Sequence, residues 1–397
     1  MAKPIDVKIT LRRGRERPVL NGHPWIFSGA VESISPEQPE PGSRCDVYSA
    51  EGEWLAAGYF NPESQITCRL VTRREGEKWG PELLAQRLEQ AVAFRERINP
   101  PETDCLRMVN AEGDGLPGVI VDRYGKGLVV ELTTAGAEQV RKELAGWLKK
   151  KFKPSFIYEN STEPVRTQEG LGEVRQALHG DPGSRVKVTE YGHNFLVDPV
   201  EGQKTGFYLD QRENRRLAAN WTAKGVRALN LFSYTGAFAV YLARAGASRV
   251  VSVDTSEKAI ELAEENLAEN GLSAKDHPLV RADAFEYLRQ CDEEFDLIVI
   301  DPPPLARRSS HVRKASRAYK DINRLGFSRL AAGGLMFTFS CSGHVGKRLF
   351  QQVVFSAALE AGKEMRVLAH LGAGSDHPVS LYHPEGEYLK GFLLAAP

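Results

Sequence analysis

The chain has 397 residues, a length that points to two or three domains rather than one core. Its 42% apolar and 26% charged residues are those of an ordinary soluble globular protein, and 52 basic residues balance 52 acidic ones. Nonspecific polyanion binding by the whole molecule is therefore excluded, and any nucleic-acid contact must come from local patches. Cysteines at 45, 68, 105, 291 and 341 have wide, irregular spacing and no C-x-x-C, which argues against a disulfide framework and against a metal site. The N-terminus lacks an apolar leader and no uncharged apolar run approaches the roughly 18 residues needed to span a bilayer. A cytoplasmic protein, neither secreted nor membrane-embedded, is expected.

The first 75 residues alternate short apolar runs with turns: VKIT, WIF at 25 to 27, RCDVYSA, EWLAAGYF and ITCRLVT, broken at Asn21-Gly22, Pro41-Gly42, Glu51-Gly52 and Asn61-Pro62. This spacing predicts a small β-barrel. Its opening cluster, Arg12, Arg13, Arg15 and Arg17, reads either as an RNA contact or as a solvated hairpin. At Gly80-Pro81 the period changes to that of a helix, with Leu84, Leu88, Ala91 and Ile98 on one face and a stop at Asn99-Pro100-Pro101. Strands LRMVNAE, GVIVDRY, LVVELTT and SFIYE, with a helix over AEQVRKELAGWLKKKF, then predict a central α+β domain over 76–188.

From about residue 189 to the end, strand and helix alternate. RALNLF, RVVSVD, PLVRAD, DLIVID and GLMFTFS are apolar strands of the kind buried on both faces, so the expected fold is α/β, a parallel doubly wound Rossmann-like sheet. Ligands bind such sheets at the carboxyl ends of the strands. The first end carries Phe232, Ser233, Tyr234 and Gly236 before a helix, a turn that lets backbone approach a ligand but lacks the three glycines of a dinucleotide fingerprint. The second ends in Asp254-Thr255, an acid placed for ribose hydroxyls, although Ser256 is the better cap for the next helix. Asp283-Ala284 form an edge for an adenine amino group. Asp301 and three prolines follow the fourth strand, and Cys341 ends the fifth.

Glycine, three aspartates and a cysteine on five strand ends together resemble class I S-adenosylmethionine-dependent methyltransferases. The likeness goes further. GHPWIFSGAV, GDGLPGVIVDRYG, GQKTGFYLDQRENR, NLFSYTGAFAV, VVSVDTS, YKDIN, TFSCSG and DHPVSLYHPEGEYLKGF, in this order, resemble the bacterial RlmI-type family of large-subunit ribosomal RNA cytosine-C5 methyltransferases. That resemblance implies an N-terminal RNA-binding PUA domain over 1–75, the central domain, and a methyltransferase domain over 189–397. It implies S-adenosylmethionine as cofactor, 23S rRNA or a large-subunit precursor as partner, 5-methylcytidine as product, and Cys341 as the nucleophile. Oligomeric state is left open, with a homodimer admissible.

The chemistry suits the assignment, because a thiolate adding at carbon 6 of cytosine turns carbon 5 into an enamine nucleophile. Asp301, which also lies on the cofactor side, would hydrogen-bond the N3 and amino edge of the base. By the resemblance, Gln203, Lys204 and Asp210 lie near the methionine end of the cofactor. One departure is Pro304, where the family usually has lysine. Compensating cations follow at once: Arg307, Arg308, Arg313, Lys314, Arg317 and Lys320 precede the next acid, Asp321, and form a stripe suited to RNA phosphates or a solvated helix face. No second cysteine adjoins Asp301; Cys291 reads as core filling and His344 as a surface residue. Two rival readings remain, methylation of another atom such as a guanine nitrogen, and a noncatalytic RNA-binding assembly factor.

Overall fold

The computed structural model describes residues 6–306 and 308–397, which form two compact units. One comprises the chain through Val188 with Val197–Tyr208 and Ser375–Gly386; the other comprises Thr189–Leu196, Leu209–Gly374 and Glu387–Pro397. Among the described residues no helix is long and apolar enough to cross a membrane.

In the first unit, β1 (Val7–Leu11), a short helix α1 (Arg17–Leu20), β2 (Trp25–Ile26), β3 (Val31–Ser35), β4 (Arg44–Tyr48), β5 (Trp54–Phe60) and β6 (Cys68–Thr72) supply one six-stranded sheet ordered β2-β6-β5-β4-β1-β3. Strand β3, VESIS, is absent from the sequence reading. Only Val31 is buried in it, so it carries almost no apolar alternation and owes its conformation to pairing with β1. Helix α2 (Pro81–Ile98) starts on proline and buries Leu83, Leu84, Leu88, Ala91 and Val92, the face that the periodicity predicts. Strands β7 (Cys105–Asn110), β8 (Val119–Tyr124), β9 (Gly127–Leu132), β10 (Phe156–Ser161) and β11 (Val174–His179) make a second sheet. The single helix expected after β9 is instead two, α3 (Ala135–Glu138) and α4 (Arg141–Phe152), because Val140 leaves helical dihedrals at φ −107° and ψ 12°.

A hairpin, β12 (Val186–Glu190) and β13 (His193–Val197), precedes the second unit's elements. Those are α5 (Arg212–Asn220), β14 (Arg227–Leu231), α6 (Ala237–Arg244), β15 (Arg249–Asp254), α7 (Glu257–Glu269), β16 (Leu279–Arg281), α8 (Ala284–Gln290), β17 (Phe295–Ile300), α9 (Val312–Ser328), β18 (Leu330–Ser340), α10 (Lys347–Glu360), β19 (Arg366–Gly372) and β20 (Lys390–Ala395). Their sheet runs β16-β15-β14-β17-β18-β20-β19. The five predicted strands are parallel; β20 is antiparallel to both neighbours. Leu229, Leu231, Val251, Val253, Ile298 and Ile300 are fully buried, as expected of strands covered on both faces, each side chain stabilising by roughly 1.5–3 kcal/mol. Strand order reverses beside β14. The crevice outside the carboxyl ends of β14, β15 and β17 is thus the ligand position of this architecture.

Candidate active site

The turn after β14 is held in an unusual backbone. Phe232, Tyr234 and Gly236 all have positive φ (57°, 45° and 76°), and a Cβ on Gly236 would meet that of Ala263 at 3.0 Å. The turn is fixed from the neighbouring strand. Asp254 Oδ2 accepts from the Tyr234 N–H at 2.8 Å and Oδ1 accepts from Ser256 N at 2.9 Å. Each carboxylate oxygen keeps a further lone pair for a ligand hydroxyl. Ser233 Oγ and Thr235 Oγ1 are buried with no hydrogen-bond partner among the described residues. Unsatisfied polar groups, an acid at the second strand end and the N-terminus of α6 suit a polar nucleoside cofactor such as S-adenosylmethionine.

Asp283 caps α8, its Oδ1 accepting from the N–H groups of Phe285 and Glu286 at 2.9 and 3.0 Å, while the adjoining Ala284 is buried. Thr255 is exposed beside Asp254, and Ser256 takes the cap of α7 by accepting from Ala259 N. Asp210 is buried and accepts from Tyr388 Oη at 2.6 Å. Gln203 and Lys204 belong to the first unit rather than to the one carrying these strand ends. There Tyr208 Oη donates to Gln203 at 2.7 Å and the Lys204 ammonium lies 4.4 Å from the Tyr208 ring centroid.

Asp301 directly follows β17, and Cys341 directly follows β18, its parallel neighbour with Ile300 opposite Thr338. Both are half-buried. The Cys341 thiol donates to the Pro302 carbonyl at 3.5 Å, so sulfur and the Asp-Pro-Pro-Pro segment share one end of the sheet. The residues beside the thiol are held by side-chain hydrogen bonds. Ser342 Oγ accepts from Ala306 N at 3.0 Å and lies 3.0 Å from Tyr319 Oη, and Asn323 on the same helix is within 2.7 Å of Thr338. These contacts explain the YKDIN stretch, in which the sequence offers no chemistry of its own. Lys390, on β20 opposite Ser340, donates to the Ser342 carbonyl at 2.6 Å. Nothing local in EYLKGF announces this role, because it depends on an antiparallel pairing made from the far end of the chain.

The predicted phosphate contacts separate into engaged and available cations. Arg313, Lys314 and Arg317 are exposed on α9, whereas Lys320 is tied to Glu360 at 2.5 Å. Arg313, Ser316, Arg317, Lys320, Leu349 and Gln352 line a groove of about 700 Å³ between α9 and α10. Arg308 is exposed and Arg307 lies outside the described residues. In the first unit Arg12 lies 3.7 Å from Glu32 and Arg13 binds Glu51 at 3.1 Å, while Arg15 lines a shallow pocket with His23 and Tyr382. His344 is exposed, and Cys291 is partly buried against the core.

Residues 9–73 match a PUA-like domain family, and residues 172–358 match an S-adenosylmethionine-dependent methyltransferase family. Proteins named ribosomal RNA large subunit methyltransferase I are similar over their whole length. That of Shewanella denitrificans is 42% identical over 394 residues, covering 98% of this chain and 99% of its own, and that of Serratia proteamaculans is 41% identical over 393 residues, with the same coverage. A solved Streptococcus mutans structure, assigned as a SAM-dependent methyltransferase, shares the fold at a TM-score of 0.84 and 24% identity, with 98% of this chain and 99% of that one covered. The cofactor is S-adenosylmethionine. The chain belongs to the ribosomal RNA large subunit methyltransferase I family.

Proposed function

We propose that the protein forms 5-methylcytidine in 23S rRNA through a covalent bond between Cys341 and carbon 6 of the target cytosine. The observation that carries this is the placement of one half-buried thiol at the end of β18 against the Asp-Pro-Pro-Pro segment, one strand from Asp301. When bound, S-adenosylmethionine supplies an electrophilic methyl group. Phe232–Gly236, Asp254, Thr255 and Asp283-Ala284 would hold its adenosine, and Asp210 would lie at its methionine end.

Carbon 5 of cytosine is a poor nucleophile until the ring's aromaticity is interrupted. Attack of the Cys341 thiolate forms the sulfur–carbon 6 bond, and the electron pair displaced from the 5,6 double bond passes toward N3 or to carbon 5. Asp301 hydrogen-bonds the N3 and amino edge and favours protonation there as charge builds. Once carbon 5 bears the methyl group, its hydrogen leaves as a proton to water or another base, the double bond re-forms and the thiolate departs. The target must be unpaired or flipped, since a sulfur atom cannot reach carbon 6 within a base stack. Arg313, Lys314 and Arg317, beside their groove, would hold flanking phosphates, and the arginines at 12, 13 and 15 would form a second basic patch.

The test is tritium release from 23S rRNA carrying 5-tritiated cytosine. Cofactor-dependent release that disappears in Cys341→Ala is the expected result. Methyl incorporation without tritium loss would assign the methylation to another atom, with Cys341 dispensable.

A further inference from the structure

The segment Ser375–Gly386 returns to the first unit and carries a tight turn, in which the His383 N–H donates to the Ser380 carbonyl at 2.9 Å. Leu381 and Tyr382 are the two central residues of that turn, and they are 96% and 63% exposed. Their neighbours anchor it. His383 is buried with its ring centroid 4.3 Å from that of Trp25, and Glu385 lies 3.3 Å from His23 Nε2. Tyr382 packs against Gly22, which has φ 94° and on which a Cβ would come 2.7 Å from the tyrosine ring. Glycine alone combines that dihedral with so close an approach. Backbone thus supports the ring on one side while most of it stays open to solvent.

Positive charge flanks this ring. Arg15, Arg17 and His23 line one pocket with Leu381 and Tyr382, of about 560 Å³, and sites for small ligands run from roughly 300 to 1,000 Å³. Both arginines are exposed and form no ion pair among the described residues, whereas Arg12 and Arg13 face Glu32 and Glu51. The neighbouring acids do not neutralise them: Glu16 turns its Oε2 inward, where it is buried, and Glu385 is engaged with His23.

We propose that Tyr382 is a stacking platform for an unpaired nucleobase of the RNA substrate, with Arg15 and Arg17 holding the phosphates on either side of it. This rests on the reading of RNA as substrate and not on which atom is methylated. Paired bases hide their faces within the duplex stack, so a single exposed ring takes only a base that is unpaired. Stacking tolerates any base and the arginines see only phosphate, so the site selects single strands rather than a sequence. The C-terminal segment thereby gives the PUA-like domain an aromatic contact with RNA.

Anisotropy of a labelled single-stranded oligouridine of about 12 nucleotides tests this in the full-length protein. Arg313→Glu, Arg317→Glu serves as the parent, so that the basic patch on α9 does not compete. Expected for Tyr382→Ala is an affinity lower by about 5- to 100-fold, with the slope of log affinity against log salt unchanged. Tyr382→Phe should bind as the parent does. Arg15→Ala, Arg17→Ala should instead reduce that slope by ~1–1.5, the signature of two lost contacts to a single strand. Duplex RNA of the same length should be insensitive to Tyr382→Ala. Unchanged oligouridine affinity in Tyr382→Ala, or an equal loss for the duplex, would overturn the proposal, as would a parent that does not bind the oligouridine. Methylation of 23S rRNA by the wild type, followed separately, reports on the RNA reading itself, which those outcomes leave standing.

Discussion

The Tyr234 N–H donates to Asp254 Oδ2 at 2.8 Å, so the acid at the end of β15 holds open the turn at the end of β14. One carboxylate therefore shapes the turn and, in the proposed reading, also faces the cofactor. Asp254→Ala removes both and leaves a backbone donor without its charged partner, a loss of ~1.5–3 kcal/mol. S-adenosylhomocysteine affinity, measured by calorimetry, is expected to fall about 10- to 100-fold with the fold retained.

Gly236 adopts φ 76° at the start of α6 and lies against Ala263. Alanine there incurs left-handed strain of about 1–2 kcal/mol and a tight contact between helices. Gly236→Ala is expected to lower the melting temperature and to weaken cofactor binding together. Loss of binding with no change in melting would separate the glycine's role from the backbone argument.

Arg313 and Arg317 are exposed on one face of α9, whereas Lys320 is engaged with Glu360. The double substitution Arg313→Glu, Arg317→Glu is expected to weaken RNA binding for all sequences alike. It should reduce the slope of log affinity against log salt by ~1–2, the signature of two lost phosphate contacts. Lys320→Ala should have the smaller effect. Filter binding at several salt concentrations checks both.

Glu131 on β9 is 4% exposed, and burial, with Glu163 next, pushes its carboxyl up to about 8. An acid whose folded pKa lies above its unfolded value costs the native state stability as pH rises through the unfolded pKa, and the loss levels off above the folded one. Wild type should therefore lose stability relative to Glu131→Gln between about pH 4.5 and pH 8, the gap growing across that window and then holding constant. Denaturant unfolding at pH 4, 6 and 8 measures it; a constant gap would contradict the shift.

The parallel strands were legible because each carries its own signal, a short β-branched run between turn residues, and the same signal located Asp254, Asp283, Asp301 and Cys341 at strand ends. Ser256 was likewise legible as a cap. What escaped is what depends on distant pairing. VESIS becomes β3 through β1, and Arg366–Gly372 and Lys390–Ala395 become strands by extending the sheet past β18. Lys390 is the sharpest instance. Its burial beside Ser342 follows from a register set some fifty residues away in sequence. The break at Val140 and the return of Ser375–Gly386 to the first unit are tertiary outcomes of the same kind.

In the proposed reaction Cys341 bonds to carbon 6 of cytosine. RNA carrying 5-fluorocytidine at the target position tests it most directly, because fluorine on carbon 5 cannot leave as a proton and the adduct is trapped. Expected is a cofactor-dependent protein–RNA complex stable to denaturation, with the RNA mass on the Cys341 peptide and no complex from Cys341→Ala. Methylated RNA recovered in full from such a substrate, without any adduct on Cys341, would contradict it.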